Sequence, residues 1–269
     1  MEVLQIDLKG KMAHFRKYYA NNTAMSFSIP PRTTLMGILA AILGLPKDEY
    51  YISLSSDKIR IGIALRSPIK KTFHRLNYLS IKSLGNLKAD FEKEKPFTSD
   101  FRGMGGRIQT PFEIVTGYDL QNDEVWYRVF VSFYEGGEAI FSQLKNNVLN
   151  KLVHYNLSFG VAGFSASISE AKLYKEDDIQ QKKISNELVE FNSATISDKV
   201  SELQFEKQDD YSFVEEELMP ADFVADFNRE LSKMNRVLFT HNALPLRVIY
   251  TGDCYILEQA QTITFLENV

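Results

Sequence analysis

The residue types able to do chemistry in this 269-residue chain are few and dispersed. His14, His74, His154 and His241 form no His-x-x-x-His or Glu-x-x-His pair. Metal sites need ligands clustered at set spacings, so no metal site and no cofactor are expected. Cys254 stands alone, which excludes an intramolecular disulfide and a cysteine-rich zinc site and suggests a cytosolic protein. Gly103-Met104-Gly105-Gly106 has no helical pattern behind it and no Gly-Lys-Ser/Thr follows a glycine, so dinucleotide and P-loop readings fail. What remains is cations among aromatics and glycines. Arg16, Lys17, Tyr18 and Tyr19 form one run, which can pair with phosphates and stack on bases. Lys70, Lys71, His74 and Arg75 form a second cluster, and Arg102 and Arg107 flank a glycine-rich stretch that allows close backbone approach. Arg32 and Thr33 open an apolar helix whose first N–H groups lack intrahelical partners and carry positive partial charge, a suitable seat for an anion. Each motif also has a plain reading: a solvated loop, a soluble hairpin, a loop tip, a helix cap.

Charge distribution adds weight to the polyanion reading. Net charge is -4, yet residues 1–120 carry 18 Lys and Arg against 11 Asp and Glu, and residues 121–269 carry 13 against 24. Residues 58–89 hold eight basic residues and no acid. A basic N-terminal part joined to an acidic C-terminal part suggests a nucleic-acid site in the former.

Elements must position these residues. Leu4, Ile6 and Leu8 alternate with polar residues and predict a strand. Thr33 or Thr34 is expected to cap a helix that ends at Gly44 and Pro46. Residues 58–67 alternate again, and residues 125–134, apolar on both faces, predict a strand in the middle of a sheet. A helix is expected over 138–154 and a strand over 165–174. The order β-α-β, β-α-β gives an α+β, ferredoxin-like fold for residues 1–175, with residues 69–124 as a long hairpin insertion. Residues 176–183 read as a linker. Residues 184–269 read as a small β-rich C-terminal domain with one helix after Pro220. The longest apolar run, 35–45, is too short to span a bilayer, so no membrane is expected. The N-terminus lacks the pattern of a signal peptide.

The segment "HFRKYYANNTAMSFSIPPRTTLMGILAAILG" resembles the N-terminal signature of the fifth CRISPR-associated (Cas) protein family, a subunit of type I Cascade surveillance complexes. Phe15-Arg16, Pro30-Pro31, Gly37 and Gly44 carry the match. "IRIGIALRSPIKKTFHRLNYL" and "FGVAGFSASISEAKLY" extend it, and "EELMPADF" resembles the type I-B branch. The resemblance implies a ferredoxin-like RAMP domain with a β-hairpin thumb. It implies a prokaryotic, cytoplasmic subunit that binds the 5′ handle of the guide RNA (crRNA), contacts the backbone and large subunits, and acts on target DNA indirectly. Carried onto this chain, Arg16, Arg32, the insertion's basic residues, Gly160, Gly163 and Phe164 become handle contacts.

One branch of the family processes precursor crRNA without metal, using a Tyr, a Lys and a His, by general acid/base attack of a 2′-hydroxyl. Here Tyr50 and Tyr51 are present, but His74 near Lys71 and His154 near Lys151 do not reproduce the adjacent Lys-His pair. The expectation is a non-catalytic cap. The alternatives are a metal-independent endoribonuclease and a ferredoxin-like module that binds a small regulatory ligand.

Overall fold

Strict alternation of apolar and polar residues gives strands with two distinct faces, and both faces of the central sheet are used. The structure, a computed structural model, describes residues 1–269 except 21–22, 80–106, 206–212, 225–228, 259 and 268–269, and leaves out the side chains of 78, 79, 107 and 108. The chain begins with β1 (Val3–Gly10) and three two-residue strands, β2 (Met12–Ala13), β3 (Phe15–Arg16) and β4 (Ser26–Phe27), before α1 (Arg32–Leu43). Then come β5 (Ile59–Leu65), β6 (Lys70–Leu79), β7 (Arg107–Thr116), β8 (Val125–Phe133), α2 (Glu138–Leu149) and β9 (Ala166–Tyr174). The C-terminal part holds β10 (Ile179–Phe191), β11 (Thr195–Ile196), β12 (Val200–Leu203), β13 (Val214–Phe223), β14 (Leu231–Thr240), β15 (Leu246–Leu257) and β16 (Gln261–Ile263).

The central sheet runs β5-β8-β1-β9, every neighbour antiparallel. Leu4, Ile6, Leu8, Ile61, Ile63, Tyr127, Val129 and Val131 join the apolar residues of α1 and α2 in the main core. The residues between them face the other way. Val3, Ala64, Phe130 and Tyr174 pack on Tyr255, Leu257, Ile263 and Phe265 of the C-terminal part. Strand β8 is therefore buried on both faces, as its continuous apolar run requires. On that second face Arg128 binds both carboxylate oxygens of Asp7 at 2.7 Å. Strands β6 and β7 leave the sheet between β5 and β8 and pair antiparallel in unbroken register, from Lys70 opposite Thr116 to Leu79 opposite Arg107. The turn that joins them lies outside the described residues.

The C-terminal part differs from its reading in the sequence. No linker spans 176–183: Glu176–Asp178 is a single 3-10 turn and β10 begins at Ile179. Among the described residues no helix follows Pro220. Pro220 lies inside β13, an edge strand of the sheet β11-β14-β13, at a register shift, where a missing N–H costs no ladder bond. Nor is this part packed around its own core alone. Ala194, Ile196, Met219, Val237, Phe239 and Leu266 complete the core of the first part. Helix α1 is apolar on nearly all sides because β13 covers the side turned away from the sheet. Among the described residues no helix is long and apolar enough to cross a membrane.

Arg32 fastens this arrangement. It is 2% exposed, and all five of its N–H donors are used. Nε donates to Glu267 at 2.7 Å; Nη1 donates to Asp222 at 2.6 Å and to the Ala221 carbonyl at 3.2 Å; Nη2 donates to the Leu54 and Ile59 carbonyls at 3.0 and 2.8 Å. The expected contact of Arg32 with RNA is thereby corrected: a buried guanidinium with no free donor has nothing to offer a phosphate. Arg32→Met is expected to cost about 3–5 kcal/mol in urea unfolding, because Glu267 is then left charged and unpaired in the core. A loss below ~1 kcal/mol would contradict this role.

Candidate nucleic-acid interface

Three segments distant in sequence meet at the base of the β6–β7 hairpin. The loop after β2 is held to β7 by backbone bonds between Ala24 and both Pro111 and Glu113. The turn at 157–165 is held to β2 by His14 N–H donating to the Phe159 carbonyl at 3.0 Å, and its Phe164 ring meets Phe112 of β7 edge-on. His14 is the pin between them. Its ring stacks on Phe112 with centroids 4.0 Å apart, and its Nδ1 lies 2.7 Å from the Glu113 carbonyl. A carbonyl only accepts, so Nδ1 carries the proton. Burial, the largest influence on it, lowers the His14 pKa below 6.5. Gly160 turns the chain with φ +86°, and a Cβ there would overlap the His14 carbonyl oxygen. Only glycine lets this turn sit against the loop.

The sequence-predicted residues separate into three groups. Exposed around this junction are Arg16, whose one side-chain hydrogen bond among the described residues is Nη2 to the Ala20 carbonyl at 3.3 Å, Tyr18 at 53%, His74, Arg75, Gly160 and Gly163, with Phe164 half-buried. Thr33 is 8% exposed at the start of α1, behind Gly160. A second group is occupied by partners within the chain. Lys17 is buried and bonds both oxygens of Glu217 at 2.7 and 2.8 Å, which corrects its reading as an RNA contact. Lys71 lies 3.7 and 3.8 Å from Glu215 and Glu217, and Lys70 donates to the Tyr118 carbonyl at 2.7 Å. In the third group, Arg102 lies outside the described residues, and Arg107 is placed only by its backbone at the end of β7.

The acidic run 215–217 thus quenches part of the basic excess that the first 120 residues carry. Sequence reasoning misses this, since Lys17 and Glu217 are joined only through the packing of β13. Tyr19, in the expected run with Tyr18, is 51% exposed. Sequence reasoning also misses other aromatics beside the cations: Phe73 is 58% exposed, and Lys9 lies 4.2 Å over the Trp126 ring. A ring standing in solvent next to a cation is a platform for an unstacked base. Period-two alternation flags Phe73 as pointing away from Phe112, but nothing in the local sequence says that it stands in solvent while its partner Glu113 is buried.

Comparison with known proteins is consistent with this geometry. Residues 3–110 match the family described as CRISPR-associated protein (Cas_Cas5). Among solved structures it is similar to a CRISPR protein from Archaeoglobus fulgidus, with 15% identity, 98% of each chain covered and a TM-score of 0.55. That likeness shows a common fold. Lower scores, 0.47 and 0.45, relate it to a chain of a CRISPR RNA-guided surveillance complex (13% identity, 91% and 90% covered) and to a Cas protein (11%, 91% and 98%). No curated protein matches it by sequence.

Two outcomes test the junction. In an NMR titration the His14 ring is expected to protonate with a midpoint below 6.5, because burial favours the neutral form. Its stabilising contribution is then full above pH 6.5 and is lost as pH falls, since the unfolded chain takes up the proton first. A midpoint at or above 6.5 contradicts the packing. Gly160→Ala is expected to lower stability by ~1–3 kcal/mol by calorimetry, as the turn must leave its positive φ or His14 must move.

Proposed function

We propose that this chain is a non-catalytic, cytoplasmic subunit of a type I CRISPR Cascade surveillance complex that binds the 5′ handle of crRNA. The observation that carries this reading is the junction itself: exposed Arg16 and Tyr18 beside a basic β-hairpin and the glycine turn 160–163, in a chain whose residues 3–110 match this family. Cations set against aromatics and open backbone are what single-stranded RNA requires, because phosphates pair with the former and splayed bases stack on the latter. In this reading the β5-β8-β1-β9 sheet with α1 and α2 is a ferredoxin-like RAMP domain and β6–β7 is its thumb. The hairpin and the apolar surface at Leu149, Leu152, Val153 and Tyr155, each 40% exposed or more, are free for the backbone and large subunits. Strand β13, which carries "EELMPADF", favours the type I-B branch. Target DNA is reached only through the guide.

A nuclease role has less support. The Tyr51 hydroxyl is pushed up to about 12, first by burial, so it is a poor base at neutral pH. The Tyr51 O–H is also committed to Asp48.

The test is one gel. Purified chain and labelled repeat RNA are incubated in EDTA, and binding and cleavage are resolved together. A shift that needs the handle, without a cut, is expected. Arg16→Ala and Tyr18→Ala are each expected to weaken it by ~1–3 kcal/mol. Unchanged affinity in both variants overturns this face, and a defined cut at the handle boundary in EDTA overturns the non-catalytic reading.

A further inference from the structure

One row of the central sheet lies beyond the C-terminal part, on the face turned away from α1 and α2. Ser167 stands opposite Lys9 and Lys9 opposite Trp126, and Arg66, the residue after β5, donates its N–H to the Trp126 carbonyl at 2.9 Å. Residues paired across strands share a face, so these side chains form one line. Among the described residues the C-terminal part covers this face as far as the next row, where Gln261 accepts from Arg128 Nη1 at 3.3 Å. In that row Arg128 binds both oxygens of Asp7, and Glu170 stands opposite Asp7, so it carries no excess of cations. In the outer row Arg66 and Ser167 are exposed and Lys9 and Trp126 half-buried.

The charges of the outer row are uncompensated. Lys9 Nζ stands 4.2 Å and the Arg66 guanidinium carbon 5.8 Å from the centre of the Trp126 ring. Among the described residues neither cation makes an ion pair or a side-chain hydrogen bond. Partial desolvation, the largest influence, and then Arg128 lower the Arg66 pKa, so this guanidinium sits beside another without a carboxylate of its own. The ring is uncommitted as well. Trp126 Nε1 is buried with no acceptor among the described residues, although a buried indole N–H ordinarily finds one. No hydrogen bond fixes the indole in place. Unpaired cations suit carboxylates and phosphates alike, but the ring between them favours nucleic acid, because a base stacks on an indole and a carboxylate does not.

We infer that Lys9, Trp126 and Arg66 bind single-stranded RNA, with phosphates on the two cations and a base on the indole once Lys9 is drawn off the ring. This deepens the RNA-binding reading and rests on it for the polymer, since the row adjoins the hairpin junction. Gly10, next to Lys9, packs so closely on the turn at 157–165 that a Cβ there would stand 2.7 Å from the Ser165 carbonyl oxygen. RNA crossing that turn at Gly160 and Gly163 passes the β9 edge at Ser167 and arrives at Lys9.

The chain has a single tryptophan, so Trp126 emission reports this face directly. The full chain is titrated with repeat RNA in EDTA, by emission and by gel, with polyglutamate as the acidic control. Emission is expected to fall over the RNA concentrations that give the gel shift, as a base stacks on the indole. Lys9→Gln and Arg66→Gln should each weaken RNA binding about tenfold. Each should also flatten the slope of log affinity against log salt by ~0.7, the loss of one phosphate contact on a single strand. Lys9→Arg, which keeps the charge, should bind as the parent chain does, and thermal melting checks that every variant is folded. Unchanged emission at a complete gel shift overturns the inference and leaves the RNA reading standing. An equal fall with polyglutamate, lost in Lys9→Gln, also overturns it and makes this a surface for an acidic protein. A fall that needs Lys9 and Arg66 while Arg16→Ala and Tyr18→Ala bind unchanged supports this face and overturns the junction. If RNA gives neither shift nor fall, both readings fail.

Discussion

A buried guanidinium decides how this molecule is put together. Arg32 sits in the first turn of α1 and reaches Glu267 near the C-terminus, Asp222 on β13, the Leu54 carbonyl after α1 and the Ile59 carbonyl at the start of β5. Removing a guanidinium from water is costly, and the cost is offset only when every donor finds an acceptor in good geometry. That condition ties four separate stretches of chain to one point. The acidic C-terminal part is consequently a second wall of the same core rather than an appended domain. It explains why α1 carries no polar face and why β8 is apolar on both sides.

The same packing determines which cations are available. Glu215 and Glu217 reach across to Lys17, Lys71 and Ser28, and Asp48 takes Arg229. Among the described residues the positive field that the sequence attributes to the whole N-terminal part is reduced, while Arg16 and Arg75 stay exposed at the hairpin base. Exposed ion pairs contribute little to stability, but a buried one such as Lys17–Glu217 removes a cation from the surface altogether. Gly160 stands where the exposed junction and the open cleft at the α1 terminus meet, closing on His14 in the one and lining the other.

Much of the framework was legible from residue order. Alternation in β1 and β5, the two-faced run of β8 and the stripe Phe141, Leu144 and Val148 of α2 correspond to the elements observed, because burial of one face or two leaves a period in the sequence. Arg16, Tyr18 and Gly160 were legible as candidates for the same kind of reason: loop cations, aromatics and glycines need no distant partner to be exposed. Pro220 misled, since an edge strand tolerates a residue that a central strand does not. The reading of residues 176–183 as a linker misled too, because charged residues on a solvated strand look like a linker until the pairing of β10 with β15 is known.

By itself, then, the sequence determined β1, β5, β8, β9, α1 and α2, the apolar character of α1 and the run of aromatic and basic residues behind β2. Those are local properties, set by periodicity and by what each side chain can bury. Only the tertiary structure decided that Arg32 is a core residue, that Lys17 is neutralised, and that Lys9, Trp126 and Arg66 share one row. Each of those depends on a partner up to 235 positions away, and a charged side chain carries no local mark of whether its counter-charge will be water, protein or a nucleic-acid phosphate.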